Sequence, residues 1–295
     1  NQHSDKVEFA SHINEFLQQD EERNKICLLD DNILAYKDWK EVFNELNSTG
    51  VPFEFRQGLD IRMLTEEKIK VIMNSNILNS SICFSFDNMK DKDIIIEKLQ
   101  LWRNLYSKNS NMYLLCGFDE NNIYDEEFWK RDIKNLLERI KICIEYGMFP
   151  YVMRYRKCSN SPSPYRGMYI ILAGWCNQKS LFSKMSLNEW VDKLQAADEK
   201  SLGKKKLYST KRYLIEYAGK YPDIAYEYFN LSIDKDSKYK YICDFKANDD
   251  EEIVSTKNED ATSKIQIFGH ELNCHINKRF YNGYAVYFNC TLLQS

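Results

Sequence analysis

The sequence predicts an α/β protein: a partial (β/α) barrel over residues 1–157, then a mixed α+β region over 158–295. Three observations predict it. Short apolar runs of strand character alternate with stretches of helical period, and short loops between them imply parallel βαβ units. Gly (10) and Pro (5) are scarce, which leaves little room for long flexible linkers. Five strand ends carry acid, amide or Arg side chains: Leu28-Leu29-Asp30-Asp31-Asn32, Arg56-Gln57-Gly58-Leu59-Asp60-Ile61-Arg62, Ser85-Phe86-Asp87-Asn88, Cys116-Gly117-Phe118-Asp119 and Met153-Arg154-Tyr155-Arg156. Polar groups gathered where parallel strands end and helices begin are how such folds build sites.

Each element has its own signal. Val7, Phe9, Ile13, Phe16 and Leu17 recur at near-helical spacing and predict a helix within 5–24. Ile26 to Leu29 is a short buried strand. Trp39, Val42, Phe43 and Leu46 predict a helix that Gly50 closes. Val51 to Phe55 is the next strand. Thr65 is an N-cap for a helix opening Glu66-Glu67, with Lys68 standing where a capping box wants Glu. Ile82 to Phe86 and Met112 to Cys116 are strands, and Asp91 to Tyr106 is a helix. Asp125 to Tyr146 is a long helix stopped by Gly147, and Phe149 to Tyr155 is the last strand of the series. The series opens on a helix, so one barrel strand is expected upstream of Asn1.

After Arg156 the character changes. Ser159 to Pro164 is a loop, residues 186–198 and 208–230 have helical period, and 234–264 is a polar, partly acidic stretch expected as an exposed insertion. Ile265 to Leu293 alternates like strands, with Asn282-Gly283 as a hairpin turn.

Composition narrows the function classes. Net charge is −3 with 29% charged residues, so no global basic field points to nucleic acid. The nine cysteines are odd in number and lie largely in apolar runs, as free thiols in a reducing cytoplasm do. No apolar run approaches the ~20 residues of a membrane span. GxGxxG, P-loop and G-x-S-x-G motifs are absent.

Four strings in order carry a further reading: Asp30-Asp31-Asn32, Gln57 to Glu67, Phe86-Asp87-Asn88 and Tyr151 to Arg156. Across about residues 20–180 they resemble the radical S-adenosylmethionine (SAM) superfamily, in particular its uncharacterised bacterial and phage-type members; Gln57 to Glu67 is the most specific block. The resemblance implies a partial barrel of the radical SAM type whose first strand is missing here. It also implies SAM at the barrel mouth and a [4Fe–4S] cluster. One-electron reduction of SAM would then give methionine and a 5′-deoxyadenosyl radical that abstracts hydrogen from an unknown substrate.

By the same resemblance, Asp30, Asp31 and Asn32 meet the methionyl ammonium, and carboxylate and amide acceptors suit that cation. Gln57, Asp60 and Arg62 reach the ribose hydroxyls and the methionyl carboxylate, which a guanidinium fork fits. Asp87 and Asn88 line the mouth, and Met153, Arg154 and Tyr155 lie near adenine or substrate. The plainer reading of Asn32, Asn88 and Asp119 is helix capping.

The superfamily's CxxxCxxC cluster motif is absent, as is any CxxC. Two readings follow: an enzyme whose cluster ligands lie upstream, or a cluster-free barrel that binds or assembles. A third, nucleic-acid binding, rests on interleaved cations and aromatics at Arg154, Arg156, Lys157, Tyr165 and Arg166, and at Lys204-Lys205-Lys206, Tyr208, Lys211, Arg212 and Tyr213. His270, Cys274 and His275 do not make a zinc site: the spacing is wrong for H-E-x-x-H, and a strand puts only two of them on one face.

Overall fold

The computed structural model describes residues 11–17, 24–29, 32–78, 82–106, 110–159, 165–202, 209–239, 255–257, 262–267, 270–275 and 289–292. The expected strand–helix series is present: α1 (Ile13–Leu17), β1 (Ile26–Leu28), α2 (Trp39–Ser48), β2 (Phe53–Phe55), α3 (Glu66–Met73), β3 (Ile82–Ser85), α4 (Lys92–Leu105), β4 (Ser110–Cys116), α5 (Glu126–Glu145) and β5 (Phe149–Arg154). Of the first predicted helix, only α1 falls among the described residues.

All five strands run parallel. β1 pairs with β2, with Ile26 opposite Phe53. β3, β4 and β5 form a second sheet, with Phe84 opposite Met112 and Leu114 opposite Val152. Isolated parallel bridges join Phe53 of β2 to Ile77, ahead of β3, and Leu59, beyond β2, to Phe84 of β3, so the chain around β2 runs beside the chain around β3. No closed barrel forms among the described residues.

The helices cover one face. Phe43 of α2 packs its ring on Phe53 and Phe55, with centroids 6.2 and 5.8 Å apart. Trp102 of α4 meets Phe84 edge-on at 4.9 Å, and its indole N–H donates to Ser110 Oγ. Ile133, Leu136, Leu137 and Ile140 of α5 are buried in the same core as Met112 and Leu114.

Local chemistry sets the boundaries. Thr65 Oγ1 accepts from Lys68 N–H, and acids at Glu66 and Glu67 complement the helix N-terminus. Asp125 caps α5 by accepting from Phe128 N–H at 2.8 Å. That helix stops where Gly147 adopts φ +64°, with Met148 N–H reaching back to Cys143 O and Gly147 N–H to Ile144 O, a Schellman ending.

Beyond β5 come α6 (Arg156–Ser159), α7 (Arg166–Cys176), α8 (Lys179–Phe182), α9 (Leu187–Leu202), α10 (Ser209–Lys220), α11 (Pro222–Tyr228) and α12 (Ile233–Asp236). The chain packs as two compact units, Asn1–Ile242 and Cys243–Ser295. The change of sequence character at 157 therefore falls inside the first unit. α7 lies on β5, and Asn177 at its end clasps the strand, accepting from Val152 N–H at 2.7 Å and donating to Val152 O.

The second unit holds a four-stranded antiparallel sheet in the order β6 (Ser255–Lys257), β7 (Thr262–Ile267), β8 (His270–His275), β9 (Asn289–Leu292). This corrects part of the expectation for 234–264: β6 and the start of β7 lie inside the stretch read as an insertion. A sheet edge tolerates polar residues such as Ser255, Thr256 and Lys257, which conceals a strand from a hydrophobicity reading. Asn282-Gly283 lies outside the described residues. No helix among the described residues is long and apolar enough to cross a membrane.

Candidate functional site at the strand ends

Strand alternation sorts side chains onto two faces. On β4, Ser110, Met112, Leu114 and Cys116 are buried, whereas Asn111, Tyr113 and Leu115 are only half-buried. By register, the second face also carries Cys83 and Ser85 of β3, and Phe149, Tyr151 and Met153 of β5. Cys27 and Glu54 are its members on β1 and β2, followed by Arg56. Cys83 and Phe149 at the strand starts are buried; toward the strand ends solvent reaches Cys27, Arg56 and Tyr151. Parallel sheets are ordinarily covered on both faces. This one presents a polar and aromatic inner face that opens toward its C-terminal rim.

The inner face has its own electrostatics. Glu54 accepts a hydrogen bond from the Cys27 thiol at 3.0 Å and pairs with Arg56 at 3.0 Å. The thiol's hydrogen bond, then the charges of Arg56 and Lys25, hold the Glu54 carboxyl below its usual range. Tyr113 donates to Arg56 O and meets Tyr151 edge-on at 5.6 Å. Burial, then the neighbouring Cys83, pushes its phenol up to about 12. Gly58, at φ +83°, lets the chain pass close over Tyr113: a Cβ there would lie 3.1 Å from the ring.

The expected site residues divide into three groups. Asp30 and Asp31 lie outside the described residues. Asp60, Arg62 and Asn88 are engaged with their own neighbourhood: Asp60 accepts from Arg62 N–H and takes its guanidinium at 2.9 and 2.8 Å, and Arg62 reaches Asp91 at 3.2 Å. That fork keeps Arg62 protonated more firmly than usual, the Asp60 hydrogen bond being the main cause. Asn88 caps Lys90 N–H as the capping reading expects, whereas Asp119 accepts from Asn121 and Ile123 N–H within a loop and caps no helix, that role at α5 falling to Asp125.

The third group has polar capacity left over. Asn32 Oδ1 is shielded from solvent and has no hydrogen-bond partner among the described residues. Gln57 is exposed at the end of β2. Asp87 spends one oxygen on Leu115 N–H at 2.9 Å. Met153 is half-buried on the inner face, Arg154 is exposed opposite Cys116, and Tyr155 packs edge-on against Phe118 at 5.2 Å.

Sequence reasoning missed the groups that hold this rim in place. Arg139 of α5 is 1% exposed and aims its guanidinium at the ends of β3 and β4, donating to Phe86 O at 2.8 Å, Leu115 O at 2.9 Å and Asp87 O at 3.3 Å. Burial works against its charge. Asp132, two turns earlier on α5, accepts from Gly117 N–H at 2.8 Å and from the Tyr169 hydroxyl. Their only signal in the sequence was a charged residue on the apolar stripe of a long helix.

Cys27, Cys83, Cys116, Cys143 and Cys176 do not gather into a cluster site. Cys83, Cys116, Cys143 and Cys176 are buried and Cys27 is exposed, with none of the five in a disulfide. Burial raises the Cys83 thiol to about 12. No group of three His, Cys, Asp or Glu among the described residues is placed to hold a metal ion. Comparison with known proteins gives no match: no family model, no curated protein and no solved structure resembles this chain.

Proposed function

We propose that the partial barrel binds S-adenosylmethionine at its C-terminal mouth, on a scaffold of the radical SAM type. The observation that carries the reading is the pair of parallel sheets, β1–β2 and β3–β4–β5, with a face that is buried at the strand starts and opens, among the described residues, toward unspent polar groups at the strand ends. Asn32 Oδ1, shielded and unpartnered among the described residues, suits the ligand's ammonium, since a buried acceptor without a donor is costly until one arrives. Gln57 and the second oxygen of Asp87 suit ribose hydroxyls. Arg154 suits the methionyl carboxylate. The exposed face of Tyr151 beside Met153 offers an apolar platform for adenine.

The [4Fe–4S] cluster that the resemblance implies is a different matter. The described residues supply no set of thiolates for it, so no reaction step is assigned through it. That placement of the cysteines favours a second reading, a cluster-free barrel that binds without radical chemistry. Both readings put the chain in the cytoplasm, supported by the free thiols.

Two measurements on protein purified without oxygen test the proposal. Calorimetric titration with SAM is expected to show one saturable site, lost in Asn32→Leu and in Asp87→Leu. Absence of any SAM binding would refute the proposed ligand. Iron and sulfide content with the visible spectrum then separates the two readings: a cluster spectrum perturbed by SAM selects the enzyme, and iron-free protein that still binds SAM selects the binding barrel.

A further inference from the structure

We infer that the lip formed by the end of β5, the start of α6, the first turn of α7 and the loop after β4 binds single-stranded nucleic acid. The inference does not depend on SAM binding.

Several cations among the described residues are paired. Arg56 meets Glu54, Arg62 meets Asp60 and Asp91, Lys92 meets Glu138, Lys141 meets Glu227, and Lys220 meets Glu126. Arg154, Arg156, Lys157 and Arg166 depart from this pattern. All four are exposed, and none has an ion pair among the described residues. They lie on consecutive elements along one edge of the rim.

Exposed aromatic surface sits beside them. Phe118 is 50% exposed, and its ring meets Tyr155 at a near-right angle with centroids 5.2 Å apart. Tyr155 N–H bonds Cys116 O, so the Phe118 loop and the residues leading into Arg156 are held side by side. Tyr151, 46% exposed, adds a second ring on the inner face of the same strand, three residues before Arg154. Exposed guanidinium groups next to partly exposed rings are what a phosphate backbone with unstacked bases requires.

The acids on the facing loop offset part of this charge. Asp119 and Asp125 accept backbone N–H groups but keep their charge, and Glu126 is paired with Lys220 and bonded by Tyr165 and Tyr221. Asp119, Glu120, Asp125 and Glu127 thus stand against Arg131 of α5 and the four exposed cations, which leaves a small positive excess.

The other candidate patch is weaker. Lys211 pairs with Asp192, Arg212 with Glu216, and the Tyr213 ring lies against Gly167. Lys204 to Tyr208 lie outside the described residues. Tyr165, counted with the lip from sequence, is buried and bonded to Glu126, so it is not a stacking surface.

The test is fluorescence anisotropy of labelled oligonucleotides of about 12 residues, RNA and DNA, a length within the usual single-strand site size. Titrations at several salt concentrations give the slope of log K against log salt. Four phosphate contacts predict a slope of about −3 for a single strand, and Arg154→Gln with Arg156→Gln reduces it by about 1.4. Phe118→Ala weakens binding about tenfold and leaves the slope unchanged, because stacking releases no counterions. These side chains are solvent-facing, and an unchanged far-ultraviolet circular dichroism spectrum certifies the fold of each variant.

Three results would overturn the inference. One is affinity weaker than about 100 μM at low salt. Another is a slope that the double variant leaves intact. The third is equal binding of duplex or heparin with no loss in Phe118→Ala, which would mark indifferent polyanion adhesion.

Discussion

Arg139→Met tests whether the rim is held from beneath by one buried guanidinium. The substitution keeps the length of the side chain and removes its donors. In the native protein the group donates to the carbonyls of Phe86, Leu115 and Asp87 at 2.8, 2.9 and 3.3 Å. A hydrogen bond to a charged donor contributes about 1.5–3 kcal/mol, so the two short bonds alone amount to about 3–6 kcal/mol. Two effects reduce that. Removing a desolvated charge relieves its burial penalty, and the Asp87 end of the brace lies close to solvent, where water can replace the donor. The expected net loss is about 3 kcal/mol, in the range for breaking a buried charged network.

With a urea m-value of about 2–3 kcal/mol/M, the midpoint falls by about 1–1.5 M. Tryptophan fluorescence reports it, since Trp102, Trp129 and Trp175 are all buried in the first unit. Arg139→Lys is the control: it keeps a charge that reaches fewer carbonyls and falls between the two. A loss below about 0.5 kcal/mol in Arg139→Met, the level of an ordinary surface change, would refute the brace.

Four further outcomes follow from the same geometry. Gly58→Ala destabilises by about 1–2 kcal/mol, because φ +83° is left-handed and the added Cβ meets Tyr113 at 3.1 Å; a thermal melt reads it. Gly167→Ala costs about 1–3 kcal/mol by overpacking despite alanine's better helix propensity, because its Cβ would lie 2.5 Å from the Tyr213 ring; Tyr213→Ala in the same background restores most of the loss. Lys220, then Tyr221 and Tyr165, hold the Glu126 carboxyl down at about 2, so this contact stabilises above the unfolded value near 4.3 and is lost as pH falls from there toward about 2. Glu126→Gln flattens the urea midpoint across that window, and an unchanged pH profile would count against the contact. Among Cys27, Cys83, Cys116, Cys143 and Cys176, iodoacetamide modifies Cys27 first and the other four only on unfolding, as peptide mass mapping reads out.

Much of the strand–helix series was legible because its signals are local. The Thr65 and Asp125 caps, the Gly147 stop and the alternation of β4 each act within a few residues. The roles of the rim residues were less legible. Asp60 and Arg62 looked like ligand groups because their types suit a ligand, and with a single residue between them they satisfy each other instead. β6 was hidden because an edge strand needs only one pairing partner and no apolar pattern.

By itself, then, the sequence determined the α/β class, the positions of β1 to β5 and the polar character of their ends, since helix period, strand period and capping chemistry are properties of short segments. Tertiary structure decided which of those polar groups remain free. Arg139 reaches carbonyls 24 and 53 residues away, Asn177 clasps a strand 25 residues back, and Asp87 meets an N–H 28 residues on. Hydrogen-bond partners are chosen by proximity in the folded chain, and only the packing of α5 and α7 against the strands settles which side chains are spent on the protein and which are left for something else.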